Sequence, residues 1–204
     1  NSFLLEFIYL IFNRNNRIIL ALKELKFCYW NIIGIVGENG IGKSTLAKII
    51  CGLYKENKGQ ILKDDENLNI KSRLNESLLI MQEVNYQLFT DSVKDEIVLT
   101  SNIKDDYVLD TWLKDMELKN ISDRNPHTLS GGQKQRVIIL SALLSDKKIL
   151  FFDEPTSGLD YRNMKIVAKN IKKVKEEDKL ILIISHDVEF LESVCDKVID
   201  FTYL

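Results

Sequence analysis

Proline is nearly missing from this chain, with Pro126 and Pro155 the two examples among 204 residues. That excludes a proline-rich linker, and no repeat or low-complexity tract takes its place. Glycine is also sparse, at nine residues. Three cysteines, Cys28, Cys51 and Cys195, lie far apart with no CxxC pair. Such a set argues against a disulfide framework or a zinc site and fits reduced thiols. Neither charge sign dominates: 28 Lys plus Arg stand against 30 Asp plus Glu, a formal net charge of -2. Nothing global therefore draws the chain to nucleic acid or an acidic membrane. No apolar run is long enough to span a bilayer. The N-terminal stretch Phe3 to Phe12 is interrupted by Glu6 and Tyr9, lacks a basic leader and is followed by Asn13-Arg14-Asn15-Asn16-Arg17. It reads as a buried strand rather than a signal segment. The starting Asn1 and the apolar end Phe201 to Leu204 suggest that both termini are cut from a longer polypeptide.

The chain is 45% hydrophobic and 28% charged, enough to bury a core. Apolar runs recur at Ile32 to Val36, Leu78 to Met81, Ile149 to Phe152 and Leu180 to Ile184. They lack alternation, as strands covered on both faces of a parallel sheet do. Helical stretches separate them, which predicts an α/β fold. From about Asp91 to Asn125 the chain turns polar and helical, as a small subdomain inserted between strands would. Met164, Val167, Ile171 and Val174 have helical spacing, with Lys165, Lys169, Lys172, Lys173 and Lys175 around the rest of the helix. Interleaved with Glu176, Glu177 and Asp178, those lysines read as a solvated face rather than a nucleic-acid surface.

The residues that carry chemistry begin after the first of these strands. GENGIGKST, residues 37–45, has the G-x-x-x-x-G-K-[ST] pattern between a strand and a helix. Gly37, Gly40 and Gly42 allow tight turns and close backbone approach to phosphate, with Glu38, Asn39 and Ile41 completing the loop. The following helix aims its free N–H groups and positive dipole end at the same anion. Lys43 brings a point charge to the β- and γ-phosphates, Ser44 a hydroxyl for Mg²⁺, and Thr45 a further phosphate hydrogen bond. A second feature is ILFFDEP, residues 149–155, a buried strand ending in adjacent carboxylates. A charge pair leaving an apolar strand is costly unless used. Asp153 is placed to hold Mg²⁺ and Glu154 to orient or deprotonate an attacking water.

LSGGQKQR, residues 129–136, lies between these elements. With the glycine loop, Gln82 after a strand, the acidic strand end, Ser157-Gly158-Leu159-Asp160 and His186 after the last strand, the chain resembles the ABC ATPases. Six motifs occur in order and cover nearly its whole length. The resemblance implies a P-loop NTPase fold with a mainly parallel sheet, formed as a single domain. Its nucleotide-binding core would be about residues 1–82 and 145–204, with a helical subdomain at about 83–144. It implies ATP and Mg²⁺ as ligands, Gln82 reaching Mg²⁺ and the attacking water, and His186 directed at the γ-phosphate. It further implies that Ser130, Gly131, Gly132 and Gln133 open a helix onto the γ-phosphate held by a second ATPase subunit. Asp160 would communicate across that head-to-tail pair, identical or not, and nucleic acid is not an expected partner.

Residues 81–97, MQEVNYQLFTDSVKDEI, resemble the corresponding region of energy-coupling-factor transporter ATPases, cobalt-type members included. Such subunits sit on the cytoplasmic membrane face with transmembrane partners and import vitamins or transition-metal ions. The chain departs from the family pattern upstream of the loop. Phe12 or Tyr9 is the candidate for stacking on adenine, and the turn Phe27-Cys28-Tyr29-Trp30-Asn31 lacks the usual glycine. Two other functions compete with this one. A chromosome- or ribosome-acting ABC protein is disfavoured by the single cassette and the absence of sustained heptads between Thr45 and Ser130. A truncated cassette that binds ATP without turnover is disfavoured because every catalytic position is filled.

Overall fold

The structure is a computed structural model that describes residues 4–14, 17–101, 103, 105–174 and 178–203. Two sheets organise it. Strand β1 (Leu4–Arg14) folds back onto β2 (Arg17–Cys28) and also pairs with β4 (Lys58–Lys63), which carries the short β5 (Glu66–Asn67). Their antiparallel order is β2-β1-β4-β5. The expected N-terminal strand is thus present from Leu4; Phe3, Asn15 and Asn16 lie outside the described residues.

The second sheet contains β3 (Ile32–Val36), β6 (Ser77–Ile80), β7 (Ile149–Asp153), β8 (Leu180–Ile184) and β9 (Lys197–Asp200). All pairings are parallel, in the order β6-β7-β8-β3-β9. The strand expected at Leu78–Met81 is shifted by one residue, because Met81 is already exposed. Alternate side chains explain the unbroken apolar runs. Ile181, Ile183, Leu150 and Phe152 enter one core, while Leu180, Leu182, Ile184, Ile149 and Phe151 enter the other. Helix α1 (Lys43–Ile50) and the antiparallel sheet cover the second face. Truncating Phe151 or Phe152, both fully buried, would cost about 3–5 kcal/mol.

Helix α2 (Ile70–Glu76) leads into β6. Between β6 and β7 the chain forms α3 (Val93–Thr100), α4 (Asp106–Asp115), α5 (Gly131–Leu143) and short 3₁₀ turns. Its polar surface hides a stripe at i, i+3, i+4 and i+7, Leu109, Trp112, Leu113 and Met116, which joins the first core. Helices α6 (Tyr161–Lys173) and α7 (Val188–Val194) cover the rest of that face. On α6 the apolar row is buried as its spacing predicts. Lys169 and Lys173 face Asp115 at 3.8 and 2.8 Å, and Asp178 meets Lys148 at 3.5 Å. Lys175, Glu176 and Glu177 lie outside the described residues. The three cysteines are free thiols. In the turn into β3, Trp30 takes the left-handed conformation (φ 71) that the missing glycine would have suited.

Candidate active site

The site starts at the N-terminus of α1. Gly42 holds φ 109, and no side chain caps the helix. A Cβ here would fall 2.9 Å from the Ile19 carbonyl oxygen, so the turn needs glycine. The uncapped N–H groups and the helix dipole then face an anion. Lys43 is buried, and its Nζ donates to the carbonyls of Gly37 (2.7 Å) and Glu38 (2.9 Å). The loop therefore curls round its own ammonium, which burial would otherwise penalise.

Parallel strands send their carboxyl ends to one edge of a sheet, where α/β proteins bind ligands. β7 delivers Asp153 and Glu154, β8 delivers Ser185 and His186, and β6 delivers Gln82. Together with the loop they enclose a cleft of about 510 Å³. Glu154 accepts from Ser185 Oγ at 3.3 Å and lies 3.6 Å from His186 Nε2. His186 Nε2 also meets Asn39 Oδ1 at 3.1 Å. Gln82 Nε2 donates to Ser157 Oγ at 3.5 Å. Glu154 sits at φ 53, and its N–H donates to the Ile184 carbonyl at 2.9 Å. Left-handed backbone on a non-glycine residue stores strain, and such strain collects at working sites.

Of the residues expected to act here, Asn39, Gly40, Gly42, Lys43, Ser44, Thr45, Gln82, Asp153, Glu154 and His186 line this one cleft. Gly37 and Glu38 contribute carbonyls to Lys43, and Ile41 packs against the second core. The structure adds two serines to the expected set: Ser185, which directly precedes His186, and Ser157 of the Ser157–Asp160 motif, through its bond to Gln82. Phe12 is paired with Leu20, the side chain that a Cβ on Gly42 would meet next, and its ring stacks on Tyr54 at 5.2 Å. Tyr9 instead sits at φ 48 beside Gly59, exposed where the β1–β4 register shifts. Phe12 is the nearer of the two to the loop.

The residues Ser130 to Gln133 stand apart from this cleft. Ser130 caps α5 in a reciprocal box, accepting from Gln133 N–H at 3.4 Å while Gln133 Oε1 accepts from Ser130 N–H at 3.0 Å. The helix start is therefore less bare than expected: one of its N–H groups is already engaged by the Ser130 side chain. Gly131 still opens onto empty space. Asp160 is engaged within its own chain, capping α6 by accepting from Asn163 N–H at 2.8 Å.

The profile of the ABC transporter family matches residues 23–157. The chain belongs to that family. A Treponema denticola protein named as an ABC transporter ATP-binding protein is 44% identical over 168 residues, 82% of this chain and 34% of that protein. The energy-coupling factor transporter ATP-binding protein EcfA2 of Caldanaerobacter subterraneus is 33% identical over 88% of this chain and 68% of its own length. CbiO1 of Clostridium perfringens, described as part of the ABC transporter complex cbiONQ, superposes with a TM-score of 0.82. It is 28% identical, over 98% of this chain and 85% of that one. The chain spans 34 to 40% of the length of the first three curated relatives it matches. Its fold is thus the ABC form of the P-loop NTPase. Among the described residues no helix is long and apolar enough to cross a membrane.

Proposed function

We propose that this ABC ATPase domain hydrolyses ATP as one half of a head-to-tail pair and drives transport through membrane subunits at the cytoplasmic face. Substrate uptake of the energy-coupling-factor type, for a vitamin or transition-metal ion, is the finer reading. It is supported by the sequence of residues 81–97 and by the likeness to EcfA2 and CbiO1. Residues 83–144 serve as its helical subdomain.

The observation that carries the reading is the division of anion sites. Lys43, Gln82, Asp153, Glu154 and His186 share one cleft, while the α5 start lies outside it with Gly131 open. Its two helix N-termini suit a ligand gripped by the loop of one protomer and the α5 start of its mate. The γ-phosphate would lie against Lys43 and His186. A water oriented by Glu154 and Gln82 attacks phosphorus, the bond to the β-phosphate oxygen breaks, ADP leaves, and Glu154 takes the proton.

The donor set also suits Mg²⁺. Ser44 and Asp153 share the cleft, and no cluster of three or more His, Cys, Asp or Glu occurs among the described residues. Mg²⁺ is commonly held by one or two carboxylates together with substrate phosphates and water. Ser44, Asp153 and Gln82 would hold it, where it neutralises charge on the β- and γ-phosphates.

A membrane partner would find an apolar face between β6 and α5. Tyr86, Phe89 and Leu99 are 74%, 76% and 67% exposed. Phe89 and Leu99 rim a cavity of about 340 Å³ floored by Ile80, Ile138 and Ala142. Exposed apolar patches of this kind mark interaction sites.

The test is Glu154→Gln with Mg-ATP. Turnover should vanish while the protein, with its natural companions, shifts to a stable closed dimer in scattering or gel filtration. Lys43→Ala should lose nucleotide affinity and form no such dimer. Normal turnover by Glu154→Gln would overturn the proposed chemistry, and failure to pair would overturn the shared site.

A further inference from the structure

Arg136 lies in α5, beyond the Ser130 cap, and is 6% exposed. Its guanidinium joins three pieces of the chain. Nε donates to the Met116 carbonyl, at the end of α4, at 3.0 Å. Nη1 donates to the side-chain oxygen of Asn163 in the first turn of α6. Asn163 in turn gives its backbone N–H to Asp160, so one residue receives Arg136 and anchors the Ser157–Asp160 turn. Nearer the helix start, a Cβ on Gly132 would come within 3.2 Å of Leu159 Cδ2. The turn and α5 therefore touch at two levels: by close packing at Gly132 and by a charged hydrogen bond at Arg136.

The other end of this turn belongs to the cleft. Ser157 N–H donates to the Glu154 carbonyl at 3.1 Å, Ser157 Oγ accepts from Gln82, and Leu159 N–H donates to the Thr156 carbonyl at 3.0 Å. Glu154 is thus joined to Arg136 along one stretch of chain: Ser157 bonds back to Glu154, the backbone continues to Asp160, Asp160 accepts from Asn163, and Asn163 receives Arg136 of α5. Burying a cation is expensive, and an aliphatic residue would fill the same space at less cost. What a buried guanidinium adds is direction, because its planar fork fixes two acceptors at once.

We propose that Arg136 is a positioning residue that ties the α5 start to the Ser157–Asp160 turn of its own chain. The state of one protomer's cleft thereby sets the placement of the anion site that this protomer offers its mate. The inference rests on the shared-site reading above and deepens it, adding regulation between the two clefts.

The experiment measures steady-state ATPase, nucleotide affinity and folding stability on the intact protein with its natural companions. The variants are Arg136→Lys, Asn163→Leu, Asn163→Asp and the double Arg136→Lys/Asn163→Leu. Lysine keeps the charge but lacks the two-way fork; leucine removes the acceptor; aspartate restores one. If Arg136 positions α5, Arg136→Lys and Asn163→Leu each lower kcat about tenfold or more, with nucleotide affinity in the protomer's own loop held within about twofold. The double variant is no worse than the poorer single, since both cut the same link. Asn163→Asp retains most of the parent kcat. Multiplicative losses in the double variant, or kcat values that fall only as far as the folded fraction falls, would overturn the proposal. The Glu154→Gln trap separates the two readings: if it pairs normally while the Arg136 and Asn163 variants turn over like the parent, only the link fails; if it does not pair, the shared site fails as well.

Discussion

His186 Nε2 lies 3.1 Å from Asn39 Oδ1 of the phosphate loop and 3.6 Å from Glu154 Oε1. One imidazole edge thus faces two acceptors carried by different strands. For it to serve both, the proton belongs on Nε2. The same edge belongs to the cleft that Lys43 lines.

The two residues should separate in mutation. Asn39→Ala removes a neutral hydrogen bond, worth about 1 kcal/mol, so nucleotide affinity and kcat should each change by about fivefold at most. His186→Ala removes a donor aimed at developing charge, and such losses run to about 10²–10³ in kcat. Nucleotide titration beside steady-state rates decides this. Equal and small effects in both variants would show that His186 only props the loop.

Glu154 gives a second test, because its backbone conformation and its carboxylate can be altered independently. At φ 53 any residue with a Cβ pays a conformational penalty of about 1–2 kcal/mol that glycine avoids. Glu154→Ala and Glu154→Gly both remove the carboxylate and abolish turnover. The glycine variant should nevertheless be more stable than the alanine variant by about 1 kcal/mol in urea denaturation, after its greater unfolded-state entropy is counted. A glycine variant less stable than the alanine variant by about 0.4–1 kcal/mol, the entropy cost alone, would mean that this turn carries no strain.

Much of this site is legible in the sequence, and the reason is physical. β3, β7 and β8 are buried on both faces, so their apolar runs are continuous, and each ends within two residues of a candidate site residue. The antiparallel sheet was not legible in the same way. β2 buries Leu20, Leu22, Leu25 and Phe27, a pattern that breaks alternation midway. β4 buries only Ile61. The Tyr9 bulge depends on Gly59, fifty residues on, and the Arg136–Asn163 contact joins two helices across a loop and a strand. No local pattern announces such pairings. The Ser130–Gln133 capping box does have a local signal, the S-x-x-Q spacing before an apolar run, which a reading of that helix start as bare passes over.

The thiols should divide by burial. Desolvation pushes Cys51 up to about 12, against a small opposing effect of the Ser77 hydrogen bond. Desolvation, helped by Asp196 and opposed by Lys172, pushes Cys195 up to about 12. The thiolate is the reactive form, so raising the pKa removes reactivity near pH 8. Cys28 is exposed. An aromatic disulfide reagent at pH 8 should titrate one thiol quickly in the native protein and all three after unfolding in guanidinium. Two rapid thiols in the native protein would show that the partial burial of Cys195 does not protect it.

Arg73 supports α1, the helix that follows the phosphate loop. Arg73 is 1% exposed, and its Nη1 donates to the Ile49 carbonyl, at the carboxyl end of α1, at 2.7 Å. A cation there complements the helix dipole whose other end faces the cleft. Its Nη2 meets Glu56 at 2.8 Å, while Nε has no hydrogen-bond partner among the described residues. The pair is therefore only partly compensated. Removing one member of a buried pair strands the other charge and costs about 3–5 kcal/mol. Glu56 is 19% exposed at its side chain, so water relieves part of this, and Glu56→Ala should cost nearer the low end of that range. Replacing both partners by apolar groups, Arg73→Met with Glu56→Ala, removes the stranded charge. The double variant should recover a good part of the loss in urea denaturation, although the Ile49 carbonyl then lacks its donor. If the double variant is instead less stable than Glu56→Ala alone, the bond from Arg73 to the end of α1, rather than the ion pair, is what holds this helix in place.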